Sequence, residues 1–186
     1  LSADQRETAH IARESASTLL RLIDDILDFS KIEAGQLEIR PDTVSLSKIA
    51  TQSVAIYKEL AARKKLPLEF RIDEGLAAFH IGDGLRLSQI INNLLSNAIK
   101  FTERGEIVVT LAAHRQGEGW TLEIGVVDTG RGIEPEALPR LFTPFDQLTA
   151  EVVRRHGGSG LGLVISRELA RLMGGDITVA SEGLGR

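Results

Sequence analysis

The chain has 186 residues, 42% of them hydrophobic, a formal net charge of −4 and no cysteine. That length suits one well-buried domain with an accessory element, and the composition fits a soluble globular protein rather than a basic nucleic-acid binder or a disordered tail. Disulfides and thiolate metal sites are excluded, no apolar run approaches the roughly 20 residues of a membrane span, and nothing resembles a signal peptide. Opening on Leu1 rather than Met, the chain is expected to be a piece of a longer protein.

Residues 2–34 read as one long helix. Ser2 and Gln5 have the spacing of a capping box, and Ile11, Leu19, Leu22, Ile23, Ile26, Phe29 and Ile32 recur three or four apart, with Gly35 as the stop. A lone helix cannot bury such a stripe, which predicts half of a hairpin or a dimerising bundle rather than a terminal helix lying on the main domain. From Gln36 the chain reads as mixed α and β, opening on a strand-like "QLEIRPD". A helix over 46–64, strands at "LEFRI" and "AFHIG", and a helix over 83–101 follow. "EIVVTLAAHR" and "GWTLEIGVVD", joined through "QGEG", read as a hairpin. A helix over 160–173 and a strand "DITVAS" close the chain. The pattern predicts a two-layer α/β sandwich with helices on one face of the sheet.

Three stretches carry chemistry. On the helix from Asp83, the residues Arg86, Gln89, Asn93, Asn97 and Lys100 share an arc of roughly 80°, beside an apolar arc that is the core face. Asparagine is a mediocre helix former, so two on one face with a lysine point past an ordinary solvated face to a ligand. Amide oxygens suit Mg²⁺ and a lysine suits phosphate, so the two asparagines and the lysine together look like a Mg–polyphosphate site. In "VVDTGRGI", residues 126–133, an acid at a strand end beside Gly130 and Gly132 could accept from an exocyclic amine, or be an ordinary Asp turn. "HGGSGLGL", residues 156–163, fails the Rossmann and P-loop fingerprints. It leaves a glycine-rich approach to a helix N-terminus, where bare N–H groups favour anions.

These blocks, in this order, resemble the ATP-binding catalytic domain of sensor histidine kinases, closest to the hybrid type. "QIINNLLSNAIKFT" is similar to the family's N box, "DTGRGI" to its G1 box, "LFTPFDQ" to its F box and "GGSGLGL" to its G2 box. "LLRLIDDILDFSKIEAGQLEI" resembles the second helix of the dimerisation and phosphoacceptor hairpin. The resemblance implies an α+β fold of the Bergerat type: a mixed sheet covered by helices on one face, preceded by one long helix. Residues 1–35 would be the hairpin helix and residues 36–186 the catalytic domain, lacking a final strand. Asn97 and Asn93 would hold Mg²⁺, Lys100 would contact phosphate, and Asp128 would accept from the adenine amino group. Gly130 and Gly132 would shape the base pocket, Phe101 would contribute to its wall, and Ile133 would be a further nucleotide-binding residue. Residues 147–159 would be the ATP lid, anchored by Phe142 and Phe145, with Arg154 or Arg155 reaching the terminal phosphate. Gly158, Ser159, Gly160, Leu161 and Gly162 would complete the phosphate end.

Related ATPases of the gyrase and mismatch-repair type place a general-base glutamate where this chain has Asn93, so steady hydrolysis is disfavoured and transfer to an imidazole fits better. The family's acceptor histidine lies in an H-E-x-x/T-P context, which His10, His80, His114 and His156 all lack. The expectation is therefore a protein-histidine kinase that binds ATP and Mg²⁺ but lacks its acceptor helix and does not autophosphorylate alone. In the intact protein the γ-phosphoryl would pass to a histidine and then to a receiver-domain aspartate. Expected partners are that missing helix, a response-regulator receiver and a second copy through residues 1–35, with no nucleic acid. The fragment would be cytoplasmic, part of a membrane-bound sensor that it does not itself anchor. The alternatives are a nucleotide-holding pseudokinase module and a gyrase-type ATPase.

Overall fold

A computed structural model describes residues 2–117, 119–146 and 159–183. Helix α1 (Ala3–Glu33) opens on the expected capping box: Gln5 N–H donates to Ser2 Oγ at 3.2 Å, and Ser2 N–H to Gln5 Oε1 at 2.9 Å. It closes in a Schellman pair, Gln36 N–H to the Lys31 carbonyl and Gly35 N–H to that of Ile32. There follow β1 (Asp42–Val44), α2 (Leu46–Arg63), β2 (Leu68–Ile72), β3 (His80–Gly82) and α3 (Gly84–Phe101). After these come β4 (Ile107–Gln116), β5 (Gly119–Asp128), a 3₁₀ turn (Leu138–Arg140) and α4 (Gly162–Leu172).

The main sheet has the order β2-β4-β5. It is mixed: β2 runs parallel to β4 with Phe70 opposite Val109, and β4 and β5 form the hairpin, from Gln116↔Gly119 to Ile107↔Asp128. A small antiparallel pair, β1-β3, lies apart. Alternate residues of β4 (Ile107, Val109, Leu111) are buried in a cluster with Val54 of α2 and with Ile91 and Leu95 of α3. This is the expected two-layer sandwich. A second cluster joins Phe29 and Ile32 of α1 to Ile90 and Leu94 of α3 and to Ile165 and Leu169 of α4. Helix α3 thus packs on the sheet with one flank and on α1 and α4 with the other.

Two expected strands do not form, and α1 has two faces rather than one stripe. Residues 36–41 of "QLEIRPD" are irregular and only Asp42–Val44 is β. The alternation there reflects one-sided burial: Leu37 and Ile39 plug the second cluster, while Arg40 N–H is held by Asp83 Oδ2 at 3.0 Å. "DITVAS" makes no ladder bond among the described residues; the Ile177 N–H goes to its neighbour Asp176 Oδ1 at 2.8 Å, and Ile177 packs on the second cluster. On α1, Leu22, Asp25, Asp28, Phe29 and Ile32 are half-buried against the domain, whereas Leu19, Leu20, Ile23, Ile26 and Leu27 are exposed. No helix among the described residues is long and apolar enough to cross a membrane.

Candidate functional site

Both ends of the expected nucleotide site are assembled on α3. Its start is fixed by Asp83, a buried N-cap whose Oδ1 accepts the N–H groups of Leu85 and Arg86, each at 3.1 Å. Burial alone would raise the Asp83 pKa, but the backbone N–H groups of Arg40, Arg86 and Leu85 outweigh it and hold the carboxyl below its ordinary range.

At the C-terminal end of α3, the fully buried Thr102 donates from Oγ1 to Asp128 Oδ1 at 3.2 Å, and Gly130 N–H donates to the same oxygen at 2.9 Å. Arg131 N–H reaches the Phe101 carbonyl at 3.3 Å. A Cβ on Gly130 would lie 2.5 Å from Asp128 Oδ1 and 2.7 Å from the Phe101 carbonyl oxygen, so no other residue lets this turn close on the helix end. Asp128 is left exposed, and its Oδ2 has no partner among the described residues. One oxygen is thus spent on orientation and the other presented, as an acceptor for an amine requires. Gly132 follows at φ +69°, and the Ile133 N–H is held by Ser181 Oγ at 2.9 Å.

One to two turns earlier on α3, Asn97 Nδ2 approaches Asn93 Oδ1 at 3.5 Å, and Asn93 Nδ2 donates to Ser166 Oγ on α4 at 2.9 Å. Gly162, the first residue of α4, sits so close to Asn93 Oδ1 that a Cβ there would collide with it. The asparagine pair is thereby set against the N-terminus of α4, where helix geometry leaves the first N–H groups without intrahelical partners. Ahead of it, Gly160 adopts φ +70° and Ser159 Oγ accepts the Leu161 N–H at 3.1 Å. Leu161 itself is fully buried in the second cluster, so it anchors this turn to the core rather than presenting a side chain to the site. Lys100 Nζ lies 4.9 Å from the Phe101 ring centroid, and burial together with the Arg21 charge pulls its pKa down.

The polar stripe does not act as one surface. Arg86 and Gln89 are turned to α1, both donating to Asp28 Oδ2, at 2.8 and 2.9 Å. Of the lid anchors, Phe142 lies under the Arg167 guanidinium at 4.4 Å, and Asp176, paired with Arg167, has its pKa held down to about 2. Phe145 packs edge-on against Phe29 of α1, with ring centroids 5.8 Å apart. Arg154, Arg155 and Gly158, with most of the lid, lie outside the described residues. Thr102 and Ser166 escaped the sequence reading. Thr102 closes the N-box stretch and could have been suspected, whereas Ser166 gains its meaning only once α4 meets α3.

The amide oxygens at Asn93 and Asn97 suit a hard cation that keeps waters and takes its remaining ligands from phosphate. Among the described residues no group of three or more His, Asp or Glu could hold a metal instead.

The family described as "Histidine kinase-, DNA gyrase B-, and HSP90-like ATPase" matches residues 82–186, and "His Kinase A (phospho-acceptor) domain" matches residues 1–35. Sensor histidine kinase RcsC of Escherichia coli (strain K12) is 46% identical over 172 residues, covering 92% of this chain and 18% of its own length. Hybrid signal transduction histidine kinase L of Dictyostelium discoideum is 40% identical over 184 residues, covering 98% of this chain and 11% of its own. Among solved structures, full-length ShkA in complex with AMPPNP superposes with a TM-score of 0.82 at 33% identity, over 100% of this chain and 37% of that one. The chain therefore spans about a fifth or less of the length of the curated relatives it matches.

Proposed function

Since the chain belongs to the histidine kinase-, DNA gyrase B-, and HSP90-like ATPase family and, within it, to the sensor histidine kinases, we propose that it binds Mg-ATP and that the intact protein passes the γ-phosphoryl to a histidine. The observation that carries this is the convergence on α3: a presented carboxylate at Asp128 for the adenine amine, and Asn93 and Asn97 against the start of α4 for the phosphates. Asn97 and Asn93 would hold Mg²⁺, which supplies charge neutralisation at the phosphate oxygens. Lys100 and the N–H groups at the start of α4 add positive potential there. In the transfer an imidazole nitrogen forms a bond to the γ-phosphorus while the bond to the β,γ-bridging oxygen breaks, and ADP leaves. A neutral ring nitrogen needs positioning more than a general base, which suits Asn93, an amide that cannot take a proton.

The receiver aspartate that takes the phosphoryl next, a second copy docked through residues 1–35, and a cytoplasmic placement within a membrane-bound sensor complete the reading. Calorimetry tests its core: Mg-ATP should bind the parent chain, Asp128→Asn should weaken it roughly 10-fold or more by opposing two amines, and Asn97→Ala should remove its Mg²⁺ dependence. Radiolabel from γ-labelled ATP should not appear on the chain alone, and phosphate should not be released steadily. Absence of any nucleotide binding would favour an interaction module instead.

A further inference from the structure

Helix α1 does more than precede the domain; it lies along the candidate phosphate end. Its contacts run in the opposite sense to α3. Asp28 takes Arg86 and Gln89 near the start of α3, and Arg21 lies close enough to lower the Lys100 pKa near its end. Between them Asp25 Oδ2 accepts from Ser159 Oγ at 2.8 Å. Ser159 is the residue whose hydroxyl also holds the Leu161 N–H, at the turn that feeds α4. A carboxylate thus stands at the turn where nucleotide phosphates would be received.

We infer that Asp25 and Asp28 are positioning residues that hold the hairpin helix across the phosphate end, and that the Asp25–Ser159 contact is the one an incoming polyphosphate must displace. This rests on the ATP-binding reading above. The two contacts differ in strength. Asp28 and Arg86 are mostly shielded, with side chains 15% and 17% exposed, and Gln89 doubles the bond. Asp25 is less well served: burial and the neighbouring Asp28 and Asp24 raise its pKa, against the Ser159 hydroxyl and Arg21. Asp28 is thus built as the fixed point and Asp25 as the contact that lets go. Because coupling between two ligands of one turn is reciprocal, docked α1 weakens ATP, and bound ATP loosens α1. Phe29 on Phe145 carries the same helix to the F box.

Two measurements on the full 186-residue chain test this. Calorimetry compares Mg-ATP with adenosine. Asp25→Asn should tighten Mg-ATP about 3- to 10-fold while changing adenosine less than about 2-fold, since only phosphate meets the removed charge. A shift in both ligands, or in neither, overturns the competition. The second readout needs no nucleotide: the chain has no cysteine, so spin labels at Ile23→Cys and Leu172→Cys, both exposed and the first within the docked part of α1, diluted with unlabelled chain, report the position of α1 alone. The parent should give one narrow distance distribution, which Asp28→Asn broadens. A distribution equally narrow in both would overturn the positioning role. Failure of the parent to bind Mg-ATP would sink the ATP-binding reading and the competition with it, leaving the label distances to judge the positioning separately.

Discussion

Asp83 ties two segments through one carboxylate: the first turn of α3 by two N–H groups and the irregular 36–41 connection by a third. Its folded pKa is depressed, so its contribution to stability is fully present above its ordinary value of 3.8 and is lost as pH falls through the lower folded value. Asparagine caps helices as well as aspartate does but cannot titrate. Asp83→Asn should therefore flatten the stability profile below about pH 4, whereas Asp83→Ala should cost about 1–2 kcal/mol at neutral pH, both read from urea melts at several pH values. Asp25 carries the opposite sign: its raised pKa means the folded chain holds that proton longer, so its ionisation subtracts stability as pH rises through the folded value. At Gly162 the constraint is steric. Alanine there would push the Asn93 amide away from Asn97 and Ser166, costing about 1 kcal/mol net of the gain in helix propensity and weakening Mg-ATP at least about 10-fold. Unchanged affinity in Gly162→Ala would mean that the Asn93 position does not matter to the ligand.

Among the elements, α1 is the least uniform. Its capping box secures the first turn, but the segment before Arg21 has only exposed side chains among those described, so most of its stability is local. From Leu22 onward, Asp25, Asp28, Phe29 and Ile32 tie it to α3, α4 and Phe145. Amide exchange at concentrations where the chain is monomeric should be fast up to about residue 20 and slow beyond it, and uniform protection along α1 would contradict this division. The contrast with α3 explains what could be read in advance. Both flanks of α3 are encoded within its own 18 residues, so its apolar arc and its asparagine pair stood out by period alone. The split of α1 into an inner and an outer face depends on Arg86, 58 residues away from Asp28, and no local pattern contains that. For the same reason Arg86 and Gln89 share the polar arc of Asn93 and Asn97 by period although they serve α1. Residues 36–41 and 176–181 alternate as strands do, but a strand also needs a neighbour's ladder, which alternation cannot supply.

At the scale of the whole molecule, the outer face of α1 is an extended apolar surface that the domain leaves uncovered among the described residues. Leu19, Leu20, Ile23, Ile26 and Leu27 are 59, 63, 44, 51 and 53% exposed, contiguous on one side of a 31-residue helix. The inner face is held by Asp28 and the second cluster, so the helix cannot roll to bury these residues without breaking that packing. A second copy can cover them. One helix from each chain buries less than the roughly 800 Å² per partner of a stable interface, so the association should be weak, with a dissociation constant of about 10–1,000 µM. Sedimentation should therefore show a monomer shifting toward dimer as concentration rises. Ile23→Glu with Leu27→Glu should hold the chain monomeric, because two carboxylates would face two more across the seam. Neither residue touches α3 or α4 in the second cluster, so Mg-ATP affinity and unfolding midpoint should stay within about 2-fold and a few degrees of the parent. A parent that stays monomeric at about 1 mM would show that this face does not pair with a second copy.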